Sequence, residues 1–312
     1  MSTVFFTGGA GFIGSHVIPM LLERGDKVRL FDNMFRGDRD KVAELVANSN
    51  GNVEFIDQDV RYGGAVHAAM KGSDKVIHLA AVSINKSQAD PFESIDINMV
   101  GSNNVFAAAA DLGISRVVYA SSASVYGDPE TLPMKEDGPT SPLTPYCIAK
   151  LAGEHLLDYY ARRSGLSWIG LRFFNVYGPG QKPTAYYTSV INHFVKRLRA
   201  GEPPVIDGSG EQSMDFVHVH DIARSVVMSL DADPAKANVA INIGTGIDTT
   251  VAELARTLIA AVGVNVEPQF NPREVLVSRR AADITRAREV LGWEPTIDVQ
   301  TGMKELVHTE IV

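Results

Sequence analysis

The sequence predicts an α/β fold, a doubly wound parallel sheet with helices on both faces, and three observations lead to this prediction. Apolar runs typical of buried strands alternate with amphipathic stretches through the first half of the 312 residues. The first of these runs leads directly into a glycine-rich loop. Small or polar residues follow the later runs, as expected where ligands bind outside the carboxyl ends of parallel strands.

The glycine-rich loop spans Thr7 to Gly14. Gly8 permits the tight turn after the strand, and Gly11 lets backbone N–H groups approach a pyrophosphate. Gly14 lets the following helix pack closely on the sheet, and the N-terminus of that helix then faces the phosphates. Between a strand and an amphipathic stretch, this motif predicts a Rossmann fold that binds a dinucleotide.

A carboxylate follows the second predicted strand, Val28 to Phe31, at Asp32. In this position a carboxylate hydrogen-bonds the adenosine ribose hydroxyls and repels a 2′-phosphate, which favours NAD over NADP. Arg36 and Arg39 are the alternative, since arginines can hold a 2′-phosphate, but they lie further along the loop. The sequence therefore predicts NAD as the cofactor.

Composition excludes several classes of protein. The chain is 45% hydrophobic and 21% charged, which is ordinary for a soluble globular enzyme. A formal net charge of −8 argues against nucleic acid or an anionic membrane as a general partner. The single cysteine, Cys147, excludes an intramolecular disulfide and fits a reducing compartment. No apolar run is long enough to span a membrane and no charged leader precedes the first strand, so we expect a cytoplasmic protein.

Strand-like runs recur along the chain, at residues 53–56, 75–80, 116–120 and 167–171. After residue 175, glycines and prolines interrupt the pattern, and a run at Phe216 to Val219 is expected to return to the main sheet. We therefore predict a Rossmann domain interleaved with a smaller C-terminal substrate-binding domain. The Rossmann domain comprises residues 1–175 and about 215–242, and the smaller domain comprises about 176–214 and 243–312.

Thr144 and Pro145 mark the start of a helix, as N-cap and first helical residue. Tyr146 and Lys150 then lie one turn apart on one face of that helix. A lysine ammonium beside a tyrosine hydroxyl favours the phenolate and lowers the pKa of the tyrosine. Such a tyrosine beside a hydride acceptor is suited to the oxidation of a secondary alcohol. The pair on its own is also common on helices where the two side chains merely pack.

Two histidines and an aspartate near residue 220 are candidate ligands of a metal ion. His218 and His220 fall on one face of the predicted strand, and Asp221 follows them. A third inward-facing ligand is not evident, so we predict that the protein binds no metal.

The order of these motifs resembles the extended short-chain dehydrogenase/reductase family, in particular the nucleotide-sugar epimerases of the UDP-glucose 4-epimerase type. The resemblance runs from Val4 to about Pro295. Besides the glycine loop and the Tyr146 and Lys150 pair, it rests on Asp32-Asn33, Asp59-Val60, Leu79-Ala80-Ala81, Asn98, Ser121 to Gly127, Arg172 to Pro179, Asp215 to Asp221, Ala282-Asp283-Ile284 and Leu291-Gly292-Trp293.

The resemblance implies a tightly bound NAD that is recycled in each turnover. Tyr146 would take the proton of the sugar 4-hydroxyl with help from Ser122, and Lys150 would hold the nicotinamide ribose. A transient 4-keto sugar would turn over in the pocket and regain hydride on its other face. The residues that would contact NAD are Gly8, Gly11, Phe12, Ile13, Gly14, Asp32, Asn33, Asp59, Val60, Leu79, Ala80, Ala81, Asn98, Tyr146, Lys150 and Phe174. Those that would contact the UDP-sugar are Ser83, Ser124, Asn175, Lys182, Arg273 and Arg280.

The loop after Ser122 separates the reactions of the family. Dehydratases that resemble this chain carry an Asp-Glu pair where this chain has Ala123 and Ser124, because the loss of water needs an additional acid and base. Decarboxylating relatives carry Glu at the place of Ser124. The resemblance therefore implies plain 4-epimerisation.

Two departures from the family bear on the substrate. Met214 replaces an arginine that usually helps to hold the diphosphate, so binding must rely more on Arg273. Arg280 stands where relatives line the sugar pocket with Tyr, Cys or Ser. With Lys182 it makes UDP-glucuronate an alternative to UDP-glucose and UDP-galactose, although both cations are equally compatible with solvated positions.

Two other functions stay open: a net NAD-dependent oxidoreductase acting on a nucleotide sugar, and a non-catalytic NAD-binding regulator. The glycines, Tyr146 and Lys150 are all intact, which favours the enzyme. Segments 91–111 and 146–163 are predicted to be helices with more apolar residues than one core face needs. Relatives dimerise through these helices, so we expect a homodimer.

Overall fold

The computed structural model describes residues 1–181, 189–272 and 278–311. Its strands, in chain order, are β1 (Thr3–Thr7), β2 (Lys27–Asp32), β3 (Val53–Asp57), β4 (Lys75–His78), β5 (Arg116–Ser122), β6 (Ser167–Phe173), β7 (Asn175–Tyr177), β8 (Val205–Asp207), β9 (Ser213–Met214), β10 (Phe216–His218), β11 (Val239–Ile243), β12 (Thr249–Thr250) and β13 (Gln269–Asn271).

The helices, in chain order, are α1 (Phe12–Glu23), α2 (Arg39–Asn48), α3 (Gly63–Met70), α4 (Ile84–Ala89), α5 (Pro91–Ile95), α6 (Ser102–Asp111), α7 (Pro145–Ser164), α8 (Ser189–Arg199), α9 (Val219–Ser229), α10 (Val251–Val262), α11 (Thr285–Leu291) and α12 (Val299–Ile311). A π-helical segment, Asp96–Gly101, joins α5 to α6. Short 3₁₀-helices span Ala123–Tyr126 and Pro234–Lys236.

Within the described residues, seven parallel strands form the central sheet in the order β11-β6-β5-β4-β1-β2-β3. The chain starts near the middle at β1, runs outward through β2 and β3, and then returns to run outward the other way from β4. This reversal is the topological switch point of a doubly wound sheet. The predicted α/β Rossmann fold is confirmed.

Helices cover both faces of this sheet, and alternate residues of each strand supply the two cores. On β1, Val4 and Phe6 belong to a cluster with α1 and α9, whereas Phe5 belongs to a cluster with α3, α6 and α7. Burial on both faces explains why the inner strands β1, β4, β5 and β6 are almost continuously apolar in sequence.

The prediction that Phe216 to Val219 returns to the main sheet is wrong. The strand ends at His218 and pairs only with β7, in a two-stranded parallel sheet of its own. The strand that does return is β11, which the sequence analysis did not identify and which pairs with β6. The chain enters α9 at Val219, and α9 packs against α1.

A third apolar cluster holds the smaller part of the molecule together, where α8, α10 and α12 bury side chains such as Phe194, Leu258 and Met303. The domain boundaries stay a prediction. The packing differs from these predicted boundaries at one point. Ala287 and Trp293 fall within the predicted smaller domain, but they are buried in the apolar cluster that includes β11 and α9. Among the described residues, no helix is both long and apolar enough to cross a bilayer.

Helix α7 begins as predicted. The Thr144 hydroxyl accepts a hydrogen bond from the Cys147 N–H at 3.3 Å, and Pro145 occupies the first helical position. The helix ends at Gly165, whose φ of +74° lies in the left-handed region that glycine adopts without a steric penalty. The cap fixes where the helix starts, and therefore the direction in which Tyr146 and Lys150 project.

Candidate active site

A cavity of about 520 Å³ lies at the carboxyl ends of the central strands. Its walls come from the loops that follow β1 to β6 and from the first turns of α1 and α7. Of the residues predicted to take part in binding or catalysis, it is lined by Gly8, Gly11, Phe12, Ile13, Gly14, Asp32, Asn33, Asp59, Val60, Leu79, Ala80, Ala81, Ser83, Ser122, Tyr146, Lys150, Phe174 and Asn175.

The glycine loop has the shape that a dinucleotide requires. Gly8 has a φ of +74°, and a Cβ there would lie only 2.4 Å from the backbone nitrogen of Ala80. A Cβ on Gly14 would lie 2.3 Å from the Gly9 carbonyl oxygen, so this glycine allows α1 to pack on the loop. Gly11 is the N-cap of α1 and provides no side-chain cap, which leaves N–H groups of the first turn for an anionic group.

Asp32 is oriented by the backbone at the end of β2. Its carboxylate accepts hydrogen bonds from the N–H groups of Ala10 at 3.1 Å and Met34 at 2.8 Å. Burial raises the pKa of Asp32 above its ordinary value, and these two hydrogen bonds oppose that shift. Arg39 pairs with Asp57 at 2.8 Å, and neither residue lines the cavity. Arg36, the other candidate for a 2′-phosphate, lines the cavity and donates to the Ser83 hydroxyl at 3.0 Å. The feature that fits a ribose with free hydroxyls, as in NAD, is therefore the Asp32 carboxylate at the end of β2.

Asp59 is fixed by two neighbours. It accepts hydrogen bonds from the Asn33 amide at 2.8 Å and from the Arg61 guanidinium at 2.8 and 3.0 Å. Burial raises the pKa of Asp59, but the bonds from Arg61 and Asn33 outweigh it and hold this pKa below its usual value. Arg61 also lines the cavity, and the sequence analysis did not identify it.

Lys150 is buried close to the ring of Tyr146, with 2% of its surface exposed. Its Nζ donates to the Ala120 carbonyl at 2.7 Å, and lies 5.6 Å from the ring centroid of Tyr146 and 5.0 Å from that of Tyr119. Burial lowers the pKa of Lys150 to about 7. The two aromatic faces favour the ammonium form that this burial disfavours.

Ser122 lines the cavity and also caps the short helix that follows it. Its Oγ accepts hydrogen bonds from the Ser124 N–H at 3.2 Å and the Ser124 hydroxyl at 2.8 Å, so it caps the 3₁₀-helix that follows β5. Because it accepts both bonds, its own proton remains available for donation towards the cavity that it lines. Ser124 is buried and is not among the lining residues.

An ion pair that the sequence analysis did not predict lies directly behind this site. Arg172 on β6 binds Glu154 on α7 in bidentate fashion, at 3.0 and 2.7 Å, with both side chains less than 8% exposed. Glu154 also accepts from the Ser121 hydroxyl, and Arg172 donates to the Tyr126 hydroxyl at 2.8 Å. The pair therefore fastens α7 to both ends of the loop that carries Ser122 and Ser124.

Several predicted site residues lie elsewhere. Asn98 is buried in the π-helical segment and is not among the residues that line the cavity. Its side-chain amide accepts a hydrogen bond from the Val82 N–H at 2.8 Å and donates one to the Val82 carbonyl at 3.2 Å. Asn98 therefore holds the loop after β4 in place. Arg280 is half-buried and is not among the lining residues. Lys182 and Arg273 lie outside the described residues.

The expectation that His218 and His220 share one face of a strand is wrong, because β10 ends at His218 and His220 is an exposed residue of α9. Asp221 instead accepts hydrogen bonds from the N–H groups of Thr296 and Ile297 at 2.9 and 3.0 Å. In the part of the chain that the structure describes, no three His, Cys, Asp or Glu residues are grouped as a metal ion would need.

The fold and the site together define an NAD-binding protein with a Tyr and Lys pair next to the cofactor cavity. A family model described as the NAD dependent epimerase/dehydratase family matches residues 4–244. The chain belongs to this family, and NAD is its cofactor, as predicted.

Individual relatives agree with this assignment over nearly the whole chain. The UDP-glucose 4-epimerase of Mycolicibacterium smegmatis is 35% identical over 306 residues, which are 97% of this chain and 96% of the relative. The UDP-N-acetylglucosamine 4-epimerase of Methanobrevibacter ruminantium, solved with UDP-N-acetylmuramic acid, has a TM-score of 0.89 and 31% identity, covering 99% of this chain and 98% of its own. The UDP-glucose 4-epimerase of Thermus thermophilus, solved with NAD, has a TM-score of 0.84 and 31% identity, covering 98% of both chains.

Substitution of Asp32 by Ala is expected to weaken NAD binding and to improve the relative affinity for NADP. The variant lacks the carboxylate that is predicted to accept hydrogen bonds from the ribose hydroxyls and to repel a 2′-phosphate. Titration of the cofactor-free variant with NAD and NADP measures the ratio of the two dissociation constants. Asn33→Ala is the control, because it removes the neighbouring polar side chain and keeps the charge. An unchanged ratio in Asp32→Ala would place the ribose elsewhere.

Proposed function

We propose that the protein interconverts the C4 epimers of a UDP-sugar of the UDP-glucose and UDP-galactose type through a transient 4-keto sugar. The observation that carries the proposal is that Tyr146, Lys150 and Ser122 line the same cavity as the glycine loop and Asp32. A proton-transferring group therefore lies beside the binding place of a hydride carrier. The names of the relatives support a UDP-sugar as the substrate class.

Bound NAD supplies a hydride acceptor that can also return the hydride. In the proposed mechanism Tyr146 takes the proton of the sugar 4-hydroxyl, and the Lys150 ammonium next to its ring stabilises the phenolate. Ser122, whose oxygen is held by Ser124, directs its proton to the sugar oxygen. On return of the hydride to the other face of C4, Tyr146 gives its proton back. C4 loses a hydride and its hydroxyl loses a proton, and both are restored on the return step, so the net reaction is isomerisation.

The surroundings of Ser122 support epimerisation over dehydration or decarboxylation. Ala123 and Ser124 are both buried, and the Ser124 hydroxyl donates to Ser122. Elimination of water from the sugar needs an additional acid and base, which these two residues do not provide.

The experiment that tests the proposal is incubation of the purified protein with a panel of UDP-sugars, without added cofactor, followed by chromatographic separation of the products. We expect conversion of a UDP-hexose into its 4-epimer with no accumulation of NADH. Stoichiometric NADH would indicate a net oxidoreductase, and binding of NAD without turnover of any sugar would indicate a regulator. A 4-keto-6-deoxy sugar or carbon dioxide, formed as fast as the epimer, would overturn the interpretation of the Ser122 loop.

A uronate substrate is the second candidate, and one observation favours it. Arg280 is half-buried, and it makes no hydrogen bond or ion pair with any residue in the described ranges. A partly desolvated guanidinium is suited to a charge-assisted, bidentate bond with a carboxylate. A carboxylate at C6 of UDP-glucuronate would supply that partner.

Arg280→Ala is expected to lower kcat/KM on UDP-glucuronate about tenfold or more and to spare UDP-glucose, because only the uronate loses a charge-assisted bond. Arg279→Ala is a matched control, since Arg279 is the adjacent arginine and already pairs with Asp248 at 2.6 Å. Steady-state kinetics on both sugars give the answer. If the wild type does not turn over UDP-glucuronate, the uronate candidate is discarded.

We also propose a homodimer, which the exposed apolar residues of adjacent helices support. Phe92 on α5 is 89% exposed, Val100 in the π-helical segment 45%, and Ile148 and Tyr159 on α7 47% and 52%. These elements pack against one another, so their side chains contribute to one region of the surface. We expect sedimentation at the mass of two chains. Ile148→Asp should yield monomers and Ile247→Asp, at an exposed apolar residue elsewhere, should not.

A further inference from the structure

Two loops on opposite sides of the glycine loop are joined by a hydrogen bond at the cavity. Arg36 lies in the loop after β2, and Ser83 lies immediately before α4 in the segment that follows β4. The Arg36 Nη2 donates to the Ser83 Oγ at 3.0 Å, and both residues line the cavity. We refer to these two residues as the Arg36–Ser83 strap.

The order of the strands determines what this bond crosses. In the sheet, β1 lies between β2 and β4. A bond between the loops that follow β2 and β4 therefore passes across the carboxyl end of β1, where the glycine loop begins. The loop after β2 also approaches the glycine loop directly, because a Cβ on Gly37 would lie 3.0 Å from the Ala10 Cβ. The strap thus lies over the part of the cavity that is suited to the cofactor phosphates.

The two ends of the strap differ in how firmly they are held. The Ser83 hydroxyl also caps α4, where it accepts from the Lys86 N–H, and Lys86 pairs with Glu93 at 2.6 Å. Arg36 is exposed and reaches Ser83 through a long, flexible side chain. Ser83 is therefore the end fixed by a helix cap, and Arg36 reaches it from an exposed position on the loop after β2.

The charge at this position suits the cofactor. A guanidinium presents several donors in a planar arrangement that fits the oxygens of a phosphate. It can donate to a hydroxyl and to a phosphate at the same time, since it has five N–H groups. The chemistry that the strap would recognise is the pyrophosphate of the dinucleotide.

We propose that Arg36 and Ser83 act together to close the cavity over bound NAD and slow its release. The strap must open before the dinucleotide leaves, so its loss changes the dissociation rate more than the association rate. Retention of NAD suits a reaction in which the cofactor is neither consumed nor exchanged between turnovers.

The test is the exchange of bound NAD for isotopically labelled NAD, followed by mass spectrometry of the protein-bound nucleotide. Arg36→Gln is expected to raise the release rate about tenfold or more, because bonds to charged groups contribute more than neutral ones. Ser83→Ala keeps the charge of Arg36 but removes the hydroxyl that accepts its hydrogen bond. This variant is expected to raise the rate of NAD release about threefold to tenfold. Arg39→Gln is the matched control, since it makes the same charge change in the same region but at a residue paired with Asp57 outside the cavity lining.

The double variant Arg36→Gln/Ser83→Ala distinguishes a strap from two independent contacts. If the two residues act as a unit, the double variant releases NAD as fast as Arg36→Gln alone, because Ser83 has lost its partner already. If the release rate of the double variant is instead raised by the product of the two single-variant factors, the residues act independently and the proposal is overturned. Wild-type release from Arg36→Gln, or equally fast release from Arg39→Gln, would also overturn it. The readout is cofactor exchange, so these outcomes are independent of which sugar the protein acts on.

Discussion

Tyr146→Phe is expected to lower turnover of the UDP-sugar by about two to four orders of magnitude, the usual contribution of a positioned proton-transfer group. The substitution removes only the phenolic oxygen, and the ring can still lie beside the Lys150 ammonium. NAD should therefore stay bound, and the melting temperature should stay close to that of the wild type. Single-turnover and steady-state kinetics on the purified holoenzyme provide the measurement.

Tyr159→Phe is the matched control for this experiment. Tyr159 lies on the same helix, but its side chain is half exposed and is not among the cavity residues. We expect wild-type kinetics from this variant. Turnover near that of the wild type in Tyr146→Phe would refute the assignment of Tyr146 as the proton-transferring residue.

The largest effect on stability is expected from Glu154→Gln. Removal of one member of a buried ion pair leaves the other charge uncompensated, which costs about 3–5 kcal/mol of unfolding free energy. In this protein the uncompensated charge is Arg172, which is 5% exposed and would keep its bonds to the Tyr126 hydroxyl and the Glu136 carbonyl. Urea unfolding at the same excess of NAD for every variant measures the change.

The double variant Glu154→Gln/Arg172→Met separates the loss of a partner from the loss of the pair. Replacement of both members of a buried pair is often nearly neutral, because neither charge then needs desolvation. We expect the double variant to recover much of the stability that Glu154→Gln loses. A double variant that is less stable than either single variant would show that the pair contributes mainly through its links to Ser121 and Tyr126.

The parts of the fold that sequence predicts well are those with a local physical cause. The inner strands β1, β4, β5 and β6 are buried along almost their whole length, so each is a nearly continuous apolar run that can be recognised without knowledge of its neighbours. The glycine loop is equally local, because the positive φ of Gly8 and the close approach to Ala80 leave no room for a side chain.

The sequence predicts less where the cause is distant along the chain. The run that ends at His218 has strand-like residues, but its partner β7 is set by tertiary packing. The Glu154 and Arg172 pair was also missed, although a signal exists. An arginine inside the apolar run of β6 cannot be buried alone, and therefore predicts a carboxylate partner.

In the candidate site, too, residues with a local sequence signal could be predicted and residues placed by distant contacts could not. Tyr146, Lys150 and Ser122 were identified from a helix cap, a helical spacing and a family resemblance, and the structure brings them to one cavity. The location of Asn98 could not be derived from its position in the sequence, because its amide is satisfied by a loop that precedes it by 16 residues. Arg36 was considered for a 2′-phosphate, and only the strand order shows that it reaches across the cavity to Ser83.

The late position of β11 in the chain has a consequence for synthesis on the ribosome. The central sheet is complete only when Val239–Ile243 pairs with β6, after the chain has built β7 to β10, α8 and α9. Until then β6 is an edge strand whose unpaired backbone groups can accept a strand from another molecule. Closure of such a distant pair is also slow. A nascent or truncated chain that ends before Val239 should therefore need a chaperone to remain monomeric, even though its first six strands are already present.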